Sequence, residues 1–123
     1  MRDLLLVGAG GFIGAILRYV VGLVLVPRMT TAFPVHTFLI NVTGSLALGV
    51  IIGAAETRDL APWIRPAVAV GVLGAYTTFS TFGWETVALL ERGETAMASA
   101  YVLASVAVGL GAVVIGLAVG RAL

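Results

Sequence analysis

Residues Gly71 to Trp84 set hydroxyls, glycines and aromatic rings side by side inside an otherwise apolar stretch. Thr77, Thr78, Ser80 and Thr81 each bring a neutral O–H donor, and Phe79 and Phe82 share one face of a helix. A phenyl ring is electron-rich on its face and electropositive at its edge, so the edge can rest against a small anion. Flanking hydroxyls can donate hydrogen bonds to the same guest, and Asn41 adds an amide donor. Neutral donors suit conduction, because a site must replace water and still release what it holds. A cation path would favour rings of carboxylates, and Glu85 alone is a poor candidate.

Such groups must be positioned by elements that live in lipid. The 123 residues are 60% hydrophobic and 11% charged, with no cysteine. Mean hydropathy is +1.12. A soluble domain of this size could not hide that much apolar surface. Four stretches are long enough to cross a hydrocarbon core that needs about 20 helical residues. They run from about Leu4 to Val26, Val35 to Ala55, Pro66 to Leu90 and Ala96 to Gly120, a single four-helix transmembrane domain over residues 1–123. Pro34 and Pro66 open the second and third spans, where a missing N–H costs little. The first span is too long for a signal peptide and lacks a small-residue cleavage site. Hydrocarbon tolerates a polar cluster or irregular backbone only where protein buries it or water reaches it. The third span therefore lines a path for something polar.

Both termini fall on one side of an even-numbered bundle, with Arg2, Arg58, Arg65 and Arg121; Arg28 and Arg92 fall opposite. That bias is weak, so insertion in both orientations is permitted. Gly10 and Gly14, Gly49 and Gly53, and Gly116 and Gly120 form G-x-x-x-G pairs that let helix backbones approach closely. Four helices pack a solid bundle with little interior, so an oligomer is the expected way to make a pore, with those small-residue faces as its interface. The Gly8–Gly14 stretch fails the dinucleotide pattern at Ile13 and reads as packing.

Asn41 and Ser45 stand one turn apart in the second span, and Tyr101 and Ser105 repeat the spacing in the fourth. Each pair makes a polar stripe, read either as pore lining or as interhelical bonding. Arg18 either snorkels or enriches anions at a vestibule. Glu85 has three open roles: proton carrier, partner of an arginine, or interfacial group. His36 has no second histidine or thiolate with which to share a metal, and no catalytic constellation can be assembled, so the chain is not read as an enzyme. Nothing suggests nucleic acid or a soluble partner. Gly71 and Gly74, ahead of the threonine pair, invite either a broken helix with free carbonyls for a hard cation or a kink bonded by side chains.

Three segments together carry a specific likeness: Gly10-Gly11-Phe12-Ile13-Gly14-Ala15-Ile16-Leu17-Arg18-Tyr19, Asn41-Val42-Thr43-Gly44-Ser45, and Gly74-Ala75-Tyr76-Thr77-Thr78-Phe79-Ser80-Thr81-Phe82. In their order and spacing the chain resembles the Fluc (CrcB) family of fluoride channels along essentially its whole length. The resemblance implies an all-α membrane protein of four transmembrane helices, the third broken mid-membrane, forming an antiparallel, dual-topology homodimer with two fluoride pores. It implies passive export of fluoride across a prokaryotic cell membrane. Phe79, Phe82 and Asn41 match the family's pore residues, and Ser80, Thr81, Tyr101 and Ser105 its polar track. Arg18 and Glu85 match accessory positions, and the backbone carbonyls of Gly74 and Thr77 match the ligands of a structural sodium ion at the dimer axis. Ala75 and Tyr76 stand where relatives often carry a second glycine or another small residue. The rival readings are a small proton-coupled multidrug exporter, which would need a glutamate where the first span has Arg18, and a non-transporting membrane scaffold.

Overall fold

The computed structural model describes Met1–Leu123 and is all-helical. Helix α1 covers Arg2–Leu25 and ends in a 3₁₀ turn, Val26–Arg28, where Pro27 removes a donor. Helix α2 covers Val35–Thr57, with Pro34 at its N-cap. Helix α3 begins as a wide π-wound stretch, Arg65–Leu73, and tightens to α geometry over Gly74–Tyr76. Helix α4 covers Phe79–Glu91 and α5 covers Thr95–Ala122. Gly93, at φ 77°, makes the turn between α4 and α5 in the left-handed region that favours glycine. By length and composition, α1 with its 3₁₀ turn, α2 and α5 can each cross a membrane.

The expected third span is divided. Thr77 and Thr78 are extended, at φ −74°, ψ 157° and φ −149°, ψ 115°, so the helix stops and restarts. Thr78 caps the new start, its Oγ1 accepting from the Thr81 amide at 3.3 Å. The break lies downstream of both glycines that invited it. Gly71 is occupied with packing: a Cβ there would sit 3.0 Å from the Cα of Gly10 on α1.

Backbone-close packing organises two helix pairs, α1 against the π-wound part of α3 and α2 against α5. A Cβ on Gly10 or Gly14 would overlap the carbonyls of Ala67 or Val72. Gly49 and Gly53 meet Gly116 and Gly120 across α2 and α5 with the same intimacy. This corrects one expectation. All three G-x-x-x-G pairs are consumed within the chain, so they do not supply an interface between copies. Helices without a hydrophobic drive toward each other associate by such close contact, which is why small residues concentrate there. Gly49→Val is expected to destabilise the protein by about 1–3 kcal/mol through forced separation of α2 and α5. Thermal unfolding in detergent would register it, with Gly109→Val, which has open space around it, as the unaffected control.

The buried core is small. Tyr101, Leu89 and Ala98 form a cluster at the α4–α5 turn end, flanked by Phe33, Phe38, Phe82 and Met97. Most large apolar side chains, among them Leu4, Leu103, Leu110 and Val114, face outward, as a lipid solvent requires.

Candidate functional site

Two cavities flank the break. One, of about 350 Å³, is lined by Asn41, Ser45, Gly74, Thr77, Phe79, Phe82 and Ser105, with no charged side chain on its wall. The other, of about 620 Å³, is lined by Arg18, His36, Thr37 and Thr81 among apolar neighbours from α1. Thr78 borders both. Four helices are therefore needed to build the first cavity: the polar stripe of α2, the end of α3 at Gly74, the restart of α4 and the middle of α5.

Asn41 holds the break open. Its Nδ2 donates to the Thr78 carbonyl at 3.0 Å, and its Oδ1 accepts from the Thr78 amide at 2.8 Å. An amide carries a donor and an acceptor on separate atoms, so it can satisfy the carbonyl and the amide of one residue at once. The remaining Nδ2 hydrogen is left for the cavity.

Diverting the Thr78 amide to Asn41 has a second consequence. The Gly74 carbonyl loses the donor it would have in a continuous helix. The Thr81 amide bonds Thr78 Oγ1, so the Thr77 carbonyl loses its donor too. Its remaining partner is Arg18 Nη1, at 3.5 Å. Arg18 thus reaches from α1 across the larger cavity to the break, rather than out to the lipid interface. Nothing lies within 4 Å of where a Cβ on Gly74 would stand. The two carbonyls are hard, neutral oxygen donors with spare lone pairs, the chemistry that suits a sodium ion.

Phe79 and Phe82 come together at a centroid separation of 5.7 Å and an interplanar angle of 43°. Phe79 is 83% exposed. Phe82 is half-buried and leans on Tyr101, 5.1 Å away at 55°. Ser105 Oγ is buried in the same region and has no hydrogen-bond partner. Such a hydroxyl is costly in a protein interior unless something supplies an acceptor.

Tyr101 is set apart from that wall. It is 0% exposed and donates to Glu85 Oε2 at 2.7 Å. Thr37 donates to Glu85 Oε1 at 2.9 Å, and His36 Nε2 lies 3.4 Å from the same oxygen. Of the roles open to Glu85, pairing with an arginine is not the one adopted. Ser80 is exposed, its hydroxyl 3.4 Å from that of Thr78, and Thr81 faces the Arg18 cavity. The predicted residues therefore divide. Asn41, Gly74, Thr77, Phe79, Phe82 and Ser105 share one cavity, Arg18 and Thr81 share the other, and Tyr101 and Glu85 form a buried pair. Sequence reasoning missed Thr37 as a Glu85 partner. The signal was available: Thr37, Asn41 and Ser45 follow one another at i, i+4 on one face of α2.

A sequence model of the family described as "CrcB-like protein, Camphor Resistance (CrcB)" matches residues 5–117. The chain belongs to the CrcB family. Its CrcB relatives include a protein from Rhizobium meliloti, 45% identical over 100% of this chain and 99% of the relative. Another, from Rhodospirillum centenum, is 44% identical over 98% and 97%. A third, from Chloroflexus aurantiacus, is 43% identical over 98% and 97%. Each of these CrcB proteins bears the name "Fluoride-specific ion channel FluC".

Proposed function

We propose that this chain is a fluoride-selective channel that lets fluoride leave the cytoplasm passively, and that two copies in opposite orientations build it in a prokaryotic inner membrane. The observation that carries this reading is the uncharged cavity where Phe79, Phe82, Asn41 and a buried, unpaired Ser105 hydroxyl converge. Ring edges and neutral donors can replace part of the water around a small, strongly hydrated anion without a fixed charge to trap it. Arg18 in the adjoining cavity raises the local anion concentration. Ser80 beside Thr78 and Thr81 on the wall of the Arg18 cavity extend the hydroxyl track, while Tyr101 backs it from behind Phe82. The restart of α4 adds the positive end of a helix dipole beside the same wall.

Dimerisation is supported by what one copy leaves unfinished. The smaller cavity is open along one side, and Phe79 stands 83% exposed at its rim. A second copy seated there would close the wall. Since the glycine faces are spent inside the chain, the interface falls instead on the broken-helix side. The open space at Gly74 allows a partner backbone to come near. The carbonyls of Gly74 and Thr77, one pair from each copy, would then hold a structural sodium ion. When bound, that ion supplies a positive charge that satisfies carbonyls the broken helices cannot satisfy themselves. The ion would stay resident rather than be carried.

The test is efflux from liposomes containing the purified protein, read with fluoride and chloride electrodes. Rapid fluoride loss with chloride retained is the expected result; equal rates for both ions, or none, would remove the reading. Exchanging sodium for a bulky organic cation should lower flux or dissociate the dimer. Indifference to that exchange would argue against Gly74 and Thr77 as ligands.

A further inference from the structure

The larger cavity holds a group that the proposed conduction path has not used. His36, in the first turn of α2, lines it together with Arg18. Its Nε2 lies 3.2 Å from Thr37 Oγ1 and 3.4 Å from Glu85 Oε1. Thr37 already donates its hydroxyl proton to Glu85, so both atoms facing Nε2 are acceptors. The neutral ring therefore keeps its proton on Nε2 and leaves Nδ1 as a bare lone pair. No protein group engages Nδ1.

That arrangement gives protonation a direct electrostatic meaning. In the neutral ring, Nδ1 offers an acceptor, which an anion avoids. In the protonated ring, Nδ1 becomes an N–H donor and the ring gains a positive charge. The other ionisable groups around it are few. Helix α1 brings Arg18 and Tyr19 to the same cavity, α4 brings Glu85, and α5 brings Tyr101 behind Glu85. Arg28, at the end of the 3₁₀ turn, is occupied by the Val24 carbonyl. With His36 neutral and Glu85 ionised, the charge of Arg18 is offset. With His36 protonated, the cluster is net positive, and Thr78 and Thr81 beyond it become easier for an anion to reach.

We infer that His36 is the residue that governs anion passage from the Arg18 cavity to the Thr78–Thr81 hydroxyls, with its proton raising the rate. The inference rests on the reading of the chain as a fluoride channel. Imidazole gains both a charge and an N–H donor from one proton, so proton concentration is the variable that exposes its part.

Electrical recording in planar bilayers tests it, because neutral hydrogen fluoride carries no current. Fluoride current at fixed voltage and equal fluoride on both sides is expected to rise roughly threefold between about pH 7.5 and about pH 5.5. His36→Gln keeps a donor toward Glu85 but cannot gain charge, and its current should stay at the neutral-pH level throughout. His36→Lys, charged throughout, should stay at the acid level. A wild-type current indifferent to pH, or a pH response surviving in His36→Gln, removes the inference and leaves the channel intact. No fluoride current at any pH removes the channel reading and the inference together.

Discussion

Phe82→Ile is expected to lower fluoride flux about a hundredfold, the effect of roughly 2.7 kcal/mol on a conduction barrier. Isoleucine keeps an apolar side chain but has no electropositive ring edge to set against an anion. Phe82 also packs on Tyr101, so part of the loss could come from a shifted Tyr101–Glu85 pair. Phe79→Ile separates the two causes. Phe79 is 83% exposed in one copy and touches the core only through Phe82, so its replacement leaves the Tyr101–Glu85 pair in place. If the ring edge matters, both variants lose flux, while only Phe82→Ile lowers the unfolding temperature. Normal flux in Phe79→Ile and Phe82→Ile would show that the rings are packing residues and that donors alone carry the ion.

Much of the fold was legible because lipid imposes a severe grammar. Apolar runs interrupted by Pro27, Pro34 and Pro66 gave the helix limits to within a few residues, since proline and the length of the hydrocarbon core act locally. The glycine pairs announced close packing but not their partners. Gly49 and Gly53 could have met another copy, and only the folded chain reveals that Gly116 and Gly120 occupy them. Partner choice is a long-range property that spacing within one helix does not encode.

The site divides along the same line. That Asn41 and the threonines need company followed from polar types which hydrocarbon rejects, and Phe79 and Phe82 joined them by spacing and ring-edge chemistry. That Asn41 first serves as a clamp on Thr78 did not follow, because the sequence carries no sign of which backbone groups a break will release. The break itself moved from the glycines to Thr77–Thr78 for a physical reason. Gly71 is needed against α1, while the extended threonines bond the flanking turns, Thr77 Oγ1 donating to the Leu73 carbonyl and Thr78 Oγ1 accepting from the Thr81 amide. Glu85 was ambiguous in sequence because three of its partners, His36, Thr37 and Tyr101, come from other helices.

Asn41→Leu is expected to give the largest loss of stability of any single pore substitution, about 2–4 kcal/mol. Leucine fills similar space but withdraws both hydrogen bonds from Thr78, whose amide and carbonyl then lie in a residue only 6% exposed. Each buried backbone group left unpaired costs about 1–3 kcal/mol, and two are orphaned together. The nearest relief is for the Thr78 amide to return to the Gly74 carbonyl, re-forming a continuous helix and withdrawing an oxygen from the proposed sodium site. Flux and sodium dependence should therefore disappear in the same variant. Asn41→Asp sharpens the point. A carboxylate still accepts from the Thr78 amide, but it sets an anionic oxygen where Nδ2 donated to the Thr78 carbonyl and places a negative charge on the cavity wall that repels the anion. Asn41→Asp is therefore expected to abolish flux while the Thr78 amide stays off the Gly74 carbonyl, set against a re-formed helix in Asn41→Leu. Should Asn41→Leu fold and conduct normally, the broken helix would be held by something other than this amide, and the freed carbonyls would need a different origin.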